Sequence, residues 1–152
     1  MAAGTIGVPE LEGDIGSPGV SSAVHSVVAF YAPVDLDREL PPDAPSSLLL
    51  GDGAAAQARR AASPLACAAS GRFPPTLLIH GTADPIINLD ESLAMHSALR
   101  RAGVRSELQL FPGRAHDFDA EPRLARECAE RVQSFLASSS GEAGNVGGSA
   151  GS

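Results

Sequence analysis

The segment that decides the fold reads Thr76-Leu77-Leu78-Ile79-His80-Gly81-Thr82-Ala83-Asp84-Pro85. It opens with a short apolar run that Gly81 interrupts, a pattern typical of a strand buried on both faces. The turn that follows carries a carboxylate, Asp84, just beyond the carboxyl end of the strand. Functional groups gather at this edge of an open parallel sheet, so Asp84 is a candidate site residue.

Two further strands are predicted on the same grounds. Upstream, Ser26-Val27-Val28-Ala29-Phe30-Tyr31 is an apolar run that Pro33 ends. Downstream, residues 107–111 form a third run, closed by Pro112-Gly113. Residues 41–75 separate the first two strands, and their Pro, Gly and Ala content predicts a loop excursion with one or two short helices.

A helix is predicted after each of the last two strands. The first covers about residues 89–102, with Asn88 as its N-cap, Glu91 as the partner in a capping box and Gly103 as the stop. Its expected buried face carries Leu89, Leu93, His96 and Leu99. The second helix covers about residues 122–136, and its apolar stripe is Leu124, Cys128, Val132 and Phe135.

The order of elements is strand, long excursion, strand, helix, strand, helix. Such alternation predicts an α/β fold with a mostly parallel sheet and flanking helices. The chain has 152 residues, and a domain typically takes about 150. We expect residues 1–137 to form the domain part, and residues 138–152 to form a flexible Gly/Ser-rich tail.

The composition argues against several classes of function. The net charge is −7 and every positive charge is an Arg, so no basic surface is expected for nucleic acid or for an anionic membrane. No apolar run approaches the roughly 18–20 residues of a membrane span, and the N-terminus lacks the features of a signal peptide. Cys67 and Cys128 lie outside any C-x-x-C motif and are interpreted as free thiols, which favours a reducing, cytoplasmic location.

The loop after the third strand supplies the base that would partner Asp84. It reads Phe111-Pro112-Gly113-Arg114-Ala115-His116-Asp117-Phe118. A carboxylate and an imidazole at the ends of neighbouring strands can meet in space. The carboxylate would then fix the imidazole tautomer and stabilise the imidazolium that forms when His116 takes a proton from a nucleophile. Asp117 and Asp119 are rival carboxylates, but Asp117, adjacent to His116, is poorly placed to reach its ring.

Both catalytic segments resemble those of α/β-hydrolase esterases, most closely the hormone-sensitive-lipase-like and feruloyl-esterase-like branches. The likeness covers roughly residues 5–137, as the C-terminal portion of the fold, although Gly more often stands where Asp117 is. It implies a serine carboxylesterase acting on a small-molecule ester, in which Asp84 orients His116 and His116 is the general base. It implies no cofactor and no metal, and His80 is interpreted as a packed strand-end residue.

The nucleophile of such an enzyme sits in a G-x-S-x-G elbow between a strand and a helix. The sequence matches this motif at Gly147-Gly148-Ser149-Ala150-Gly151, which makes Ser149 a candidate nucleophile. A Gly/Ser-rich tail produces such matches by composition, and no apolar strand precedes this one. The nearest earlier segment, Gly19-Val20-Ser21-Ser22-Ala23, lacks the second Gly. The resemblance places the elbow before Met1.

A sheet of three strands leaves the apolar edge at residues 26–31 open to another chain. We therefore expect a homodimer, or assembly with a complementing N-terminal hydrolase segment. Two alternatives stay open. The first alternative to the esterase is a truncated, catalytically inactive domain, which is an assembly module or a gene fragment. The second is part of a serine peptidase of the prolyl-oligopeptidase type.

Overall fold

The computed structural model describes residues 23–38, 50–51 and 54–142, with side chains described as far as Ser139. Three strands form a parallel sheet in the order β1-β2-β3. They are β1 (Val27–Phe30), β2 (Thr76–Gly81) and β3 (Ser106–Phe111). The sequence prediction of a parallel sheet with flanking helices is confirmed. Ser149 and the segment Gly19–Ser22 lie outside the described residues.

The register brings the ends of the strands to one edge of the sheet. Val27 lies opposite Thr76, and Thr76 lies opposite Ser106. At the other end His80 pairs with Leu110 and Gly81 with Phe111. The turns that follow β1, β2 and β3 therefore emerge side by side, as the carboxyl ends of parallel strands must.

Helices cover both faces of the sheet. They are α1 (Ala56–Ala62), α2 (Pro64–Ala68), α3 (Leu89–Arg101) and α4 (Pro122–Glu142), with a short 3-10 helix at Phe118–Ala120 before α4. On the α3 side the core consists of Ala29, Val34, Ala68, Phe73, Leu78, Met95, Leu99 and Val104. On the α4 side it consists of Leu77, Ile79, Phe111, Phe118, Leu124, Cys128 and Phe135.

Strand β2 is the centre of this packing. All six of its residues are buried, because Leu78 points to the α3 side while Leu77 and Ile79 point to the α4 side. Burying each of these side chains stabilises the fold by about 1.5–3 kcal/mol. The apolar run that predicted a strand covered on both faces thus forms the middle layer. The packing on both faces also fixes the carboxyl end of β2, from which the site loop leaves.

Helix α3 begins where its cap predicts but buries a different face. The Asp90 N–H donates to Asn88 Oδ1 at 2.9 Å, which confirms the N-cap. The capping box is wrong, because the Glu91 carboxylate turns away from Asn88 and accepts the N–H groups of Val34 and Asp35. The buried residues of the helix are Glu91, Ser92, Met95 and Leu99, whereas Leu93 is 40% exposed.

Helix α4 runs on to Glu142, so the first residues of the predicted tail are helical. The helix predicted to end at about residue 136 is therefore longer than expected. The hydroxyls of Ser138 and Ser139 each donate to Phe135 O at 2.8 Å, and this back-bonding satisfies serines within a helix. Residues 143–152 lie outside the described residues.

The cysteines are both free thiols, Cys67 half-buried and Cys128 buried, as the sequence predicted. Among the described residues, no helix has the length and apolar character required to cross a bilayer.

Candidate active site

The loops after β2 and β3 are joined by hydrogen bonds of the main chain. The Thr82 N–H donates to Phe111 O at 3.0 Å, and the Ala83 N–H donates to Arg114 O at 2.9 Å. The Gly113 N–H adds a bond to Thr82 Oγ1 at 2.8 Å. Gly81 permits this approach, since a Cβ at this position would overlap the carbonyl of Arg114. The two loops form one unit.

This unit brings Asp84 and His116 together. The Nδ1–H of His116 donates to Asp84 Oδ2 at 2.7 Å, a distance typical of a charge-assisted bond. The Asp84 side chain is 0% exposed and that of His116 is 20% exposed. The other ring nitrogen, Nε2, lies 3.9 Å from Asp117 Oδ1, beyond hydrogen-bond distance. The lone pair on Nε2 is therefore available to accept a proton from another group.

The environment of Asp84 keeps its carboxylate ionised. Burial on its own would raise the pKa of Asp84, but the hydrogen bonds from the Ile87 N–H, the His116 ring and the Ile86 N–H outweigh burial and lower it. The two amides donate to Oδ1 at 2.9 and 2.8 Å. Asp84 thus accepts bonds on both oxygens and holds a negative charge beside His116.

His80 lies under this pair, entirely buried. Its Nδ1 is 2.7 Å from Ser92 Oγ, and its Nε2 is 3.0 Å from Ile87 O and 3.4 Å from Asp84 Oδ2. The interpretation of His80 as a packed strand-end residue agrees with these contacts. No group of three or more His, Cys, Asp or Glu side chains among the described residues could hold a metal ion.

Tyr31, which directly follows β1, adds an aromatic ring to the site that was not predicted from the sequence. Its ring centroid lies 4.2 Å from that of His116, and its hydroxyl donates to Asp119 Oδ1 at 2.8 Å. Its backbone φ is 35°, a conformation that is strained for a bulky residue and that concentrates at functional sites. The signal in the sequence was its position after a strand, the same signal that selected Asp84.

The loop that leaves Tyr31 is fixed by two polar side chains. Glu91 Oε2 accepts the N–H groups of Val34 and Asp35, each at 2.9 Å. Ser63 Oγ donates to Val34 O at 2.9 Å. Glu91 is 6% exposed and Ser63 is 0% exposed. Because both side chains are buried and hydrogen-bonded to the backbone of the loop, they hold the loop against the sheet.

The rival carboxylates take other positions. Asp117 has a side chain that is 75% exposed, and Asp119 is bonded to the Tyr31 hydroxyl. Only Asp84, of these three, makes a short bond to the His116 ring. The structure therefore brings Asp84 and His116 together, while Ser149 lies outside the residues that it describes.

A parallel sheet with an Asp and a His on the loops after neighbouring strands is the arrangement of the α/β-hydrolase fold, of which the described residues contain three strands. Residues 42–143 match the prolyl oligopeptidase family. The chain belongs to that family.

Solved esterases share the fold. The chain superimposes on a thermophilic esterase from the Planctomycetes species Thermogutta terrifontis with a TM-score of 0.69 and 29% identity, covering 89% of this chain and 49% of the esterase. The butyrate-bound form of that esterase gives a TM-score of 0.71 at 26% identity, with 90% of this chain and 51% of the esterase covered. The chain thus spans about half the length of these esterases.

Curated relatives match over shorter segments. The isoprenylcysteine alpha-carbonyl methylesterase of Arabidopsis thaliana is 37% identical over 57 residues, which are 38% of this chain and 13% of that protein. A non-reducing polyketide synthase, prhL of Penicillium brasilianum, is 39% identical over 64 residues, 41% of this chain and 3% of the synthase. The chain therefore corresponds to a small part of each.

Proposed function

We propose that this chain supplies the acid and the base of a serine carboxylesterase, acting on small-molecule esters. The observation that carries the proposal is the 2.7 Å hydrogen bond between His116 Nδ1 and Asp84 Oδ2. Esterases among the solved structures of the same fold support the choice of reaction. In this role Asp84 orients the ring and His116 is the general base.

The proposed mechanism uses both nitrogens of the imidazole ring. His116 Nε2 takes the proton of a serine hydroxyl as the hydroxyl oxygen attacks the acyl carbon. The imidazolium that forms is stabilised by the Asp84 carboxylate, which stays ionised because its pKa is held below the usual value despite burial. His116 then returns the proton to the departing alcohol oxygen. A water attacks the acyl-enzyme in the same way and releases the acid.

The nucleophile is the open part of this proposal. It is Ser149, or it belongs to another polypeptide segment that completes the site. In the described residues β1 has a neighbouring strand on one side only, β2, and Val27, Val28 and Phe30 on β1 are only half-buried. We propose that a homodimer or a complementing N-terminal hydrolase segment pairs with this edge. Sedimentation as a clean monomer at micromolar concentration would contradict the homodimer.

Labelling with a fluorophosphonate probe, read by intact mass and peptide mapping, tests the activity. We expect one adduct on a serine in the wild type and none in His116→Ala. The matched control is His25→Ala, because His25 is exposed and outside the site. Loss of the adduct in Ser149→Ala would name the nucleophile. An equal adduct in His116→Ala would overturn the role of His116.

Two other readings have specific support. The match to the prolyl oligopeptidase family favours a serine peptidase using the same pair. The edge of β1, which has no second neighbouring strand among the described residues, favours an assembly module. Hydrolysis of a p-nitrophenyl acyl ester against a prolyl p-nitroanilide separates the first from the esterase. A well-folded chain that neither hydrolyses either substrate nor takes the probe would support the module.

We also propose a cytoplasmic location, because Cys67 and Cys128 are free thiols and free thiols persist in reducing compartments. Fractionation of cells that express the full-length protein tests this. Recovery of the protein with the secreted fraction would contradict it.

A further inference from the structure

We propose that Ser92 and His80 are positioning residues that hold Asp84 in the geometry His116 requires. This inference rests on the proposed function of the Asp84–His116 pair and deepens it. Ser92 lies on α3, and His80 ends β2 next to the site loop. Neither residue touches the groups that would react, so both act through Asp84.

The burial of these side chains demands an explanation. Ser92 is 2% exposed and His80 is 0% exposed, although both are polar and a buried polar group without a partner costs about 1–3 kcal/mol. Ser92 also occupies the face of α3 that carries Met95 and Leu99, where an apolar residue would serve packing alone. The hydrogen bonds that the two side chains make therefore offset the cost of burying them.

The partners determine the tautomer of the neutral His80 ring. Ile87 O lies 3.0 Å from Nε2 and can only accept, so Nε2 carries the proton. Nδ1 is then the acceptor, and the Ser92 hydroxyl donates to it at 2.7 Å. Asp84 Oδ2 lies 3.4 Å from the same Nε2–H. Ser92 thus fixes the His80 ring so that its Nε2–H donates to Ile87 O, on the loop that carries Asp84.

The connection continues through the backbone of that loop. Ile87 accepts from His80 with its carbonyl and donates its N–H to Asp84 Oδ1 at 2.9 Å. Asp84 Oδ2 in turn accepts from His116 at 2.7 Å. A continuous series of hydrogen bonds therefore leads from α3 to Asp84, with Ser92, His80 and the Ile87 N–H as successive donors. His116 donates to Asp84 from the other end.

The test is the tautomer of His116, measured by long-range nitrogen–proton NMR on the full chain under alkaline conditions, where imidazole is neutral. Asp84 stabilises the Nδ1–H form, because that form donates to it. We expect Ser92→Ala and His80→Leu to lower the ratio of Nδ1–H to Nε2–H by about fivefold, the effect of weakening one hydrogen bond. His80→Gln keeps one donor and one acceptor and should stay within about twofold of the wild type.

The matched control is Ser97→Ala, because Ser97 lies on the same helix and its hydroxyl accepts a bond from Arg101 far from the pair. A ratio in Ser92→Ala equal to that of Ser97→Ala would overturn the positioning role and leave the proposed function intact. A wild-type His116 mainly in the Nε2–H form would overturn both. If His80→Leu does not fold, judged by circular dichroism, Ser92→Ala decides.

Discussion

Tyr31 and His116 pack ring against ring, with centroids 4.2 Å apart and an angle of 55° between their planes. The phenol covers one face of the imidazole while Asp84 holds Nδ1. Rotation of the imidazole about its side-chain bonds is thereby restricted, and Nε2 keeps one direction. Three strand ends thus contribute to one histidine.

The ionisation of Tyr31 should report this packing directly, because the chain has one tyrosine and no tryptophan. Burial, then the hydrogen bond and charge of Asp119, and last the effect of Asp117, raise the pKa of Tyr31 above its ordinary value of 10.0. Ultraviolet titration of the phenolate measures it. We expect Asp119→Asn to lower the pKa clearly and Asp117→Asn to lower it less. The opposite order would contradict the Tyr31–Asp119 bond.

Asp84 should make the free energy of unfolding depend on pH in the acid range. Its pKa in the folded chain lies below the ordinary 3.8, so as pH falls below about 4 the unfolded chain binds the proton first. Unfolding is then favoured. The stability that Asp84 contributes at neutral pH is lost as the pH falls through the pKa of Asp84 in the folded chain. Asp84→Asn should lower the free energy of unfolding at pH 7 by about 1–3 kcal/mol and flatten the acid limb. Urea melts at several pH values measure both, with the exposed Asp90→Asn as control.

Adding one methyl group at Gly81 should separate the two site loops. A Cβ there overlaps the backbone of Arg114, so the main chain must move, at a cost of about 1–3 kcal/mol. Gly103→Ala is the matched control. Gly103 has a φ of 73° but open space around a Cβ, and a left-handed residue costs about 1–2 kcal/mol. We expect Gly81→Ala alone to change the His116 resonances. Wild-type resonances in that variant would refute the close approach.

Removal of the Glu91 carboxylate should loosen the loop after β1. Glu91→Ala leaves the N–H groups of Val34 and Asp35 without their acceptor, which should lower the free energy of unfolding by about 2–4 kcal/mol. Glu91→Gln keeps an acceptor oxygen and should cost less. Asp90→Ala, one position earlier and exposed, is the control. Thermal melts compare the three variants. Equal losses of stability in Glu91→Ala and Asp90→Ala would contradict the role of the Glu91 carboxylate in holding this loop.

The sequence was sufficient for the sheet and for the pairing of Asp84 with His116, because each follows an apolar run and the ends of parallel strands meet. It was insufficient for Tyr31, Glu91 and Ser92. Their partners depend on how distant segments pack: Tyr31 and Asp119 are 88 positions apart, and Val34 and Glu91 are 57 apart. Helical periodicity also misplaced the buried face of α3, since it counts Leu93 as core and has no reason to bury a carboxylate.

The bonds that join the loops after β2 and β3 come mainly from main-chain atoms, which every residue possesses. Side chains at Ala83, Pro85 and Ala115 are exposed and take no part in that joint. Position 83 needs only an N–H, so any residue except proline preserves its bond to Arg114. The surroundings of His116 can therefore change by mutation while its distance to Asp84 stays the same, so one backbone arrangement can present different side chains around the same pair.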